Sequence, residues 1–140
     1  MNEEFIPPHD DEAEKISVKV KWQGAVTEGS GFVAIPMALL RMQTKYGLTA
    51  TEMLVLVNLL AHWWDPSRAV FPRTTTIANR MGVDKRTVQR AVGRMARIGL
   101  LSKGRTEDGK RAYDFAPLAK RLAKDVIASY AIQRGERPYG

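Results

Sequence analysis

The sequence predicts a mainly α chain that carries one small β-hairpin, and three observations support this. Apolar residues recur at three- and four-residue spacing, as in Val88, Ala91, Val92, Met95 and Ile98, the repeat that lines one face of a helix. Two helical stretches are separated only by Gly82-Val83-Asp84, a residue free to adopt positive φ shortly before one that caps a helix. Asp108-Gly109 lies between two short runs of strand character, residues 100–105 and 110–115, and this dipeptide favours a tight hairpin turn.

In chain order, residues 1–15 read as an acidic disordered tail with Pro7-Pro8 and few apolar groups. Residues 16–22 alternate apolar and polar side chains (Ile16, Val18, Val20 and Trp22 on one side), which predicts a strand with one buried face. Residues 24–31 read as a loop and residues 32–35 as a second short strand, so 16–35 forms an N-terminal strand region. Pro36 suits the first turn of a helix running to about Tyr46, where Gly47 stops it. Thr49 or Thr51 caps the next helix, and Glu52 stands at capping-box distance from Thr49. Its Met53, Leu54, Leu56, Val57, Leu59 and Leu60 cover most of the circumference, so this helix is the centre of a core. His62, Trp63 and Trp64 are read as packing at its end.

A short helix then begins at Thr74, Thr75 or Thr76 and ends at Gly82. A longer one capped by Asp84 ends at Gly99, and the hairpin follows. From Pro117 to about Gln133, Leu118, Leu122, Val126 and Tyr130 share one side of a final helix. The domain expected over residues 36–115 is therefore followed by a C-terminal helix and tail, 116–140. That helix either packs on its own domain or forms a seam with a second copy.

Charge and residue content narrow the function. The chain has 22 Lys and Arg against 15 Asp and Glu, a net +7. Six of the acids lie in residues 1–14, where there is no Lys or Arg, so the remainder holds 22 basic and 9 acidic residues. A polyanionic partner is the natural counterpart of such a surplus. There is no cysteine, so disulfides and thiolate metal sites are excluded. The two histidines, His9 and His62, have no acidic neighbours at metal-ligand spacing. No phosphate-binding glycine loop or nucleophile–base arrangement is present either, and no catalysis, cofactor or small-molecule ligand is expected. No apolar run is long enough to cross a bilayer, and the acidic N-terminus is unlike a signal peptide. A cytoplasmic, nucleoid-associated location is expected.

Residues 74–92 carry the functional signal. A helix-turn-helix needs a small residue where its helices meet (Ala78), a turn residue tolerant of positive φ (Gly82), apolar anchors (Ile77, Val83, Val88, Val92) and a sharp cap for its second helix (Asp84). All four fall in register. Lys85, Arg86, Gln89, Arg90, Arg94 and Arg97 lie outside the buried stripe of that second helix, and no acid occurs from Lys85 to Gly99. A merely solvated helix would gain by interleaving Glu with Lys. An unrelieved cationic face is self-repelling until an anion meets it.

Residues 32–115 resemble the winged helix-turn-helix domains of bacterial, phage and plasmid replication and regulatory proteins. The likeness runs through Ile35-Pro36, Leu48-Thr49-Ala50-Thr51-Glu52, Val70-Phe71-Pro72, Ile77-Ala78, Gly82-Val83, Arg86-Thr87-Val88-Gln89-Arg90 and Gly99-Leu100-Leu101. It implies that the second helix enters the major groove of double-stranded DNA and that the hairpin, the wing, reaches flanking backbone or minor groove. On that basis Lys85, Arg86, Thr87, Gln89 and Arg90 are the base-reading set, with Arg86, Gln89 and Arg90 the foremost. Arg to guanine and Gln to adenine are paired contacts worth about 1–3 kcal/mol of discrimination each. Arg73, Thr74, Thr75, Thr76, Arg94, Lys103, Arg105, Lys110 and Arg111 are the backbone set, while Glu107 and Asp108 at the wing tip oppose deep minor-groove insertion. The role implied first is a transcriptional regulator or repressor. The alternatives are a replication initiator or accessory origin-binding factor and, from another class, a winged-helix protein-interaction module. A homodimer is the expected assembly.

Overall fold

The computed structural model describes residues 18–63 and 72–133. The chain divides into two units, Met1–Val33 and Ala34–Gly140, which are treated separately.

In the first unit, residues 18–22 are helical and a second helix, α1, spans Gly24–Ser30. Gln23 joins them at φ 70, the one non-glycine residue with positive φ among the described residues. Lys19 forms an ion pair with Glu28. The strand expected over residues 16–22 is thus helical where described, and the loop expected over 24–31 is helical up to Ser30. Residues 32–35, expected as a strand, form neither helix nor ladder. The physical reason is the missing partner. A strand is stable only beside another, and the two strands among the described residues pair with each other elsewhere. Val20 and Trp22, expected on a buried face, are 79% and 61% exposed. The acidic tail lies outside the described residues.

The second unit starts with α2 (Met37–Arg41), entered through Pro36 at φ −65. It is shorter than the helix expected to reach Tyr46, because residues 42–47 continue as turns that end in Gly47 at φ 68. The central helix α3 (Ala50–Leu60) opens with the expected capping box. The Thr49 hydroxyl accepts from the Glu52 N–H, and the Glu52 carboxylate accepts from the Thr49 N–H. Val55, Leu56 and Leu59 are fully buried, whereas Leu54, expected in the core, is about half exposed.

Helices α4 (Thr74–Met81) and α5 (Lys85–Arg97) both pack against α3. Strands β1 (Ser102–Arg105) and β2 (Arg111–Asp114) form an antiparallel hairpin in the register Ser102–Asp114, Lys103–Tyr113, Gly104–Ala112 and Arg105–Arg111. The Asp114 carboxylate then accepts from the Ala116 N–H and starts α6 (Ala116–Gln133).

Ile77, Val88, Met95, Leu100 and Phe115 are buried with Leu39 and the α3 side chains in one core, and the Trp63 ring packs on Phe115 with centroids 5.7 Å apart. Leu118 and Leu122 of α6 join that core. Polar contacts fix this helix further. The buried Asp125 carboxylate accepts from the Tyr46 hydroxyl at 2.6 Å and from Lys45 Nζ at 3.1 Å. Arg121 lies over the Tyr46 ring, 4.3 Å from its centroid, and donates to the Ile98 carbonyl at 2.9 Å. Tyr46 holds the Asp125 carboxyl below its ordinary range, while burial pushes the Tyr46 hydroxyl up. The last helix thus packs on its own domain through Leu118, Leu122, Arg121 and Asp125.

Candidate nucleic-acid interface

The interface is built from the turn outward. Gly82 sits in the left-handed region at φ 70 and ψ 33, and the Val83 N–H reaches back to the Ala78 carbonyl at 3.0 Å. A side chain at Gly82 would find open space but a strained backbone. Ala78 is buried where α4 approaches α5. Arg73 precedes α4 with extended backbone and gives no side-chain cap; its carbonyl accepts from the Thr76 and Ile77 N–H groups at 3.1 and 3.3 Å, and a helix start of this kind suits an anion.

Asp84 starts α5 abruptly. One of its carboxylate oxygens accepts from both the N–H and the hydroxyl of Thr87, each at 2.8 Å. The Thr87 N–H first, then its hydroxyl, hold the Asp84 carboxyl below the usual range. Thr87 is half-buried and its hydroxyl already engaged. With Val88, Ala91, Val92 and Met95 turned into the core, Lys85, Arg86, Arg90 and Arg97 are left exposed, and Gln89 and Arg94 half-buried.

These side chains line three adjoining clefts. Pro72, Arg73, Thr74, Thr75 and Lys85 meet Lys110 and Arg111 of the hairpin in the first. Gln89 and Val92 face Lys103, Gly104, Arg105, Arg111 and Tyr113 across the second. The third runs along α5 through Arg86, Thr87, Gln89, Arg90, Arg94 and Arg97, bounded by Thr49, Thr51 and Glu52 at the start of α3. Arg111 belongs to the first and second clefts and Gln89 to the second and third, so the surface is continuous. Every residue singled out from the sequence lies on it except Thr76, which is exposed on α4 beside these clefts. Ten Lys and Arg line the three clefts, against one acid, Glu52.

Two arrangements were not legible in the residue order. Arg94 is ion-paired with Glu52, whose side chain is 9% exposed. At the wing tip, Asp108 accepts from the Thr106 hydroxyl and stands 3.7 Å from Lys110 Nζ. Thr49, Thr51, Glu52, Tyr113 and Arg97 are among the lining residues that sequence reasoning did not assign to the site. The Thr49–Glu52 spacing signals a cap but says nothing of what the cap faces. Among the described residues there is no cluster of three or more metal-ligating side chains, and no helix is long and apolar enough to cross a membrane.

Comparison with known proteins agrees with this architecture. Residues 46–101 match a family of helix-turn-helix domains, a span that runs from the turn before α3 to the end of the α5 stop signal and lies inside the likeness read from the sequence. The N-terminal domain of DnaD protein from Geobacillus kaustophilus HTA426 is 20% identical, with 91% of this chain and 98% of that chain covered and a TM-score of 0.57, a likeness of fold. YusO protein from Bacillus subtilis is 17% identical over 89% of this chain and 84% of that chain, with a TM-score of 0.43. No curated protein matches the chain.

Proposed function

We propose that this chain binds double-stranded DNA in a sequence-specific manner and acts as a transcriptional regulator, a repressor that works by occupying its site. The supporting observation is the continuous surface of ten cationic side chains, nine of them without an acid from the core beside them, centred on the exposed start of a helix that follows a helix-turn-helix turn. Neutralising phosphates releases condensed counterions, and that relieves the repulsion the free surface bears. In this reading Arg86, Gln89 and Arg90 read base edges and Lys85 assists them. Arg73, Thr74 and Thr75 hold one phosphate run, and Lys103, Arg105, Lys110 and Arg111 hold another.

Fluorescence anisotropy with a random duplex at several salt concentrations tests the class of partner. Affinity is expected to fall with a log–log slope of about −0.9 per phosphate contacted, and a flat response refutes DNA binding. Selection of bound sites from random DNA then yields the preferred sequence, which is two-fold symmetric if the protein binds as a homodimer. Placing that sequence across a reporter promoter is expected to lower expression when the protein is present; unchanged expression refutes the repressor role while leaving binding intact.

A further inference from the structure

We infer that Arg94 and Glu52 form a positioning pair that sets the rotation of α5 against α3, so that Arg94 serves sequence discrimination without touching DNA itself. This rests on the DNA-binding reading above. By helical position Arg94 continues the row Arg86, Arg90, and charge alone would group the three together. The structure separates them. Glu52 is buried, and one oxygen of its carboxylate accepts both the Thr49 N–H that closes the capping box and the Arg94 guanidinium. The other edge of that guanidinium faces Gly47, where an added Cβ would stand 3.3 Å from Nη2. Arg94 is therefore held from the first turn of α3, with the turn before α3 close beside it.

Withdrawing Arg94 to meet a phosphate would leave the Glu52 carboxylate buried and unpaired, which is far costlier than the gain from one more screened contact. The pair accordingly remains closed when DNA is bound. Its lever is geometric. Arg94 lies one turn beyond Arg90 and two beyond Arg86, so a small rotation of α5 about its axis moves both guanidiniums relative to base edges that accept only a planar, paired approach.

The test compares Arg94→Met and Glu52→Gln, which keeps an acceptor for the capping box, with wild type. Binding is measured to the selected duplex and to a random duplex across salt concentrations. A flat salt response of the wild type would defeat the DNA reading itself. Given a steep one, each variant is expected to lower the preference for the selected site about tenfold, with the salt slope unchanged. The double variant should lose no more than either single one, as for residues acting through one contact. A slope smaller by about one in Arg94→Met, with preference retained, would make Arg94 a phosphate contact and overturn the inference. Unchanged preference and slope would overturn it too. Should a variant not fold, NMR of the wild-type guanidinium groups decides. The Arg94 signal is expected to stay in place on DNA addition while those of Arg86 and Arg90 move, and movement of all three would refute the pair.

Discussion

Two cationic regions of this protein are built from the same residue types and differ in what surrounds them. Where α6 meets the turn before α3, Lys45 and Arg121 are both accounted for from within. Lys45 pairs with Asp125, and Arg121 lies over Tyr46 with a hydrogen bond to the Ile98 carbonyl. On the exposed start of α5 and along the hairpin, Lys85, Arg86, Arg90, Lys103 and Arg111 line open clefts whose one acid, Glu52, is ion-paired with Arg94. The first region is closed by contacts within the fold, and the second is the surface that the proposed DNA binding uses. Net charge cannot tell them apart. The location of the nearest acid can, and Arg94, on the open helix but closed by Glu52, marks the border between them.

The comparison is broken most severely by removing the open charges. Arg86→Ala combined with Arg90→Ala should cost about 1–3 kcal/mol of discrimination per residue, measured by anisotropy against selected and random duplexes, with the melting temperature little changed. A large fall in melting temperature would place these arginines with the structural set. On the closed side, Tyr46→Phe leaves Asp125 without its 2.6 Å partner and should cost about 1.5 kcal/mol of stability, measured by urea unfolding, with the salt dependence of DNA binding untouched. A smaller effect is expected from Lys110→Ala at the wing. It should weaken selected and random duplexes alike, with the salt slope reduced by about 0.9, and a loss confined to the selected site would assign Lys110 to base reading.

Acid provides the gentlest probe. Asp84 and Asp125 both have carboxyls held below the ordinary 3.8, by Thr87 and Tyr46 respectively. Because the folded values are depressed, their contribution is complete above the unfolded value near 3.8 and is lost as the pH falls through the lower folded values. Circular-dichroism melts should therefore show stability declining below about pH 4, less steeply in Asp84→Asn. Identical pH profiles would show that the Asp84 cap contributes nothing measurable.

What could be read from residue order alone was what is settled within a few residues. The Thr49–Glu52 box, the Asp84 cap, the Gly82 turn and the Asp108-Gly109 hairpin each depend on contacts between residues at most a dozen positions apart, and each stands where expected. The misreadings share one cause. Alternation at Val18, Val20 and Trp22 describes a strand only if a neighbouring strand exists, and among the described residues the two strands, β1 and β2, pair with each other. Likewise Tyr46 and Asp125 are 79 residues apart and Glu52 and Arg94 are 42 apart, so no local pattern announces either pair. The cationic face of α5 was legible, but the subtraction of Arg94 from it was not.

The hairpin register has a further consequence. Arg105 and Arg111 stand directly opposite each other and line the same cleft, an opposition of like charges that weakens a two-stranded ladder. Arg105 turns its guanidinium to the Gly109 carbonyl at 2.9 Å, and an anion that neutralises this pair of charges is expected to stabilise the wing. Simple sulfate or phosphate should then raise the melting temperature of the DNA-free protein more than chloride does at equal ionic strength, and Arg111→Gln should abolish the difference. On the DNA-binding proposal, resistance to heat in simple anions thus becomes a readout of the phosphate chemistry assigned to the wing.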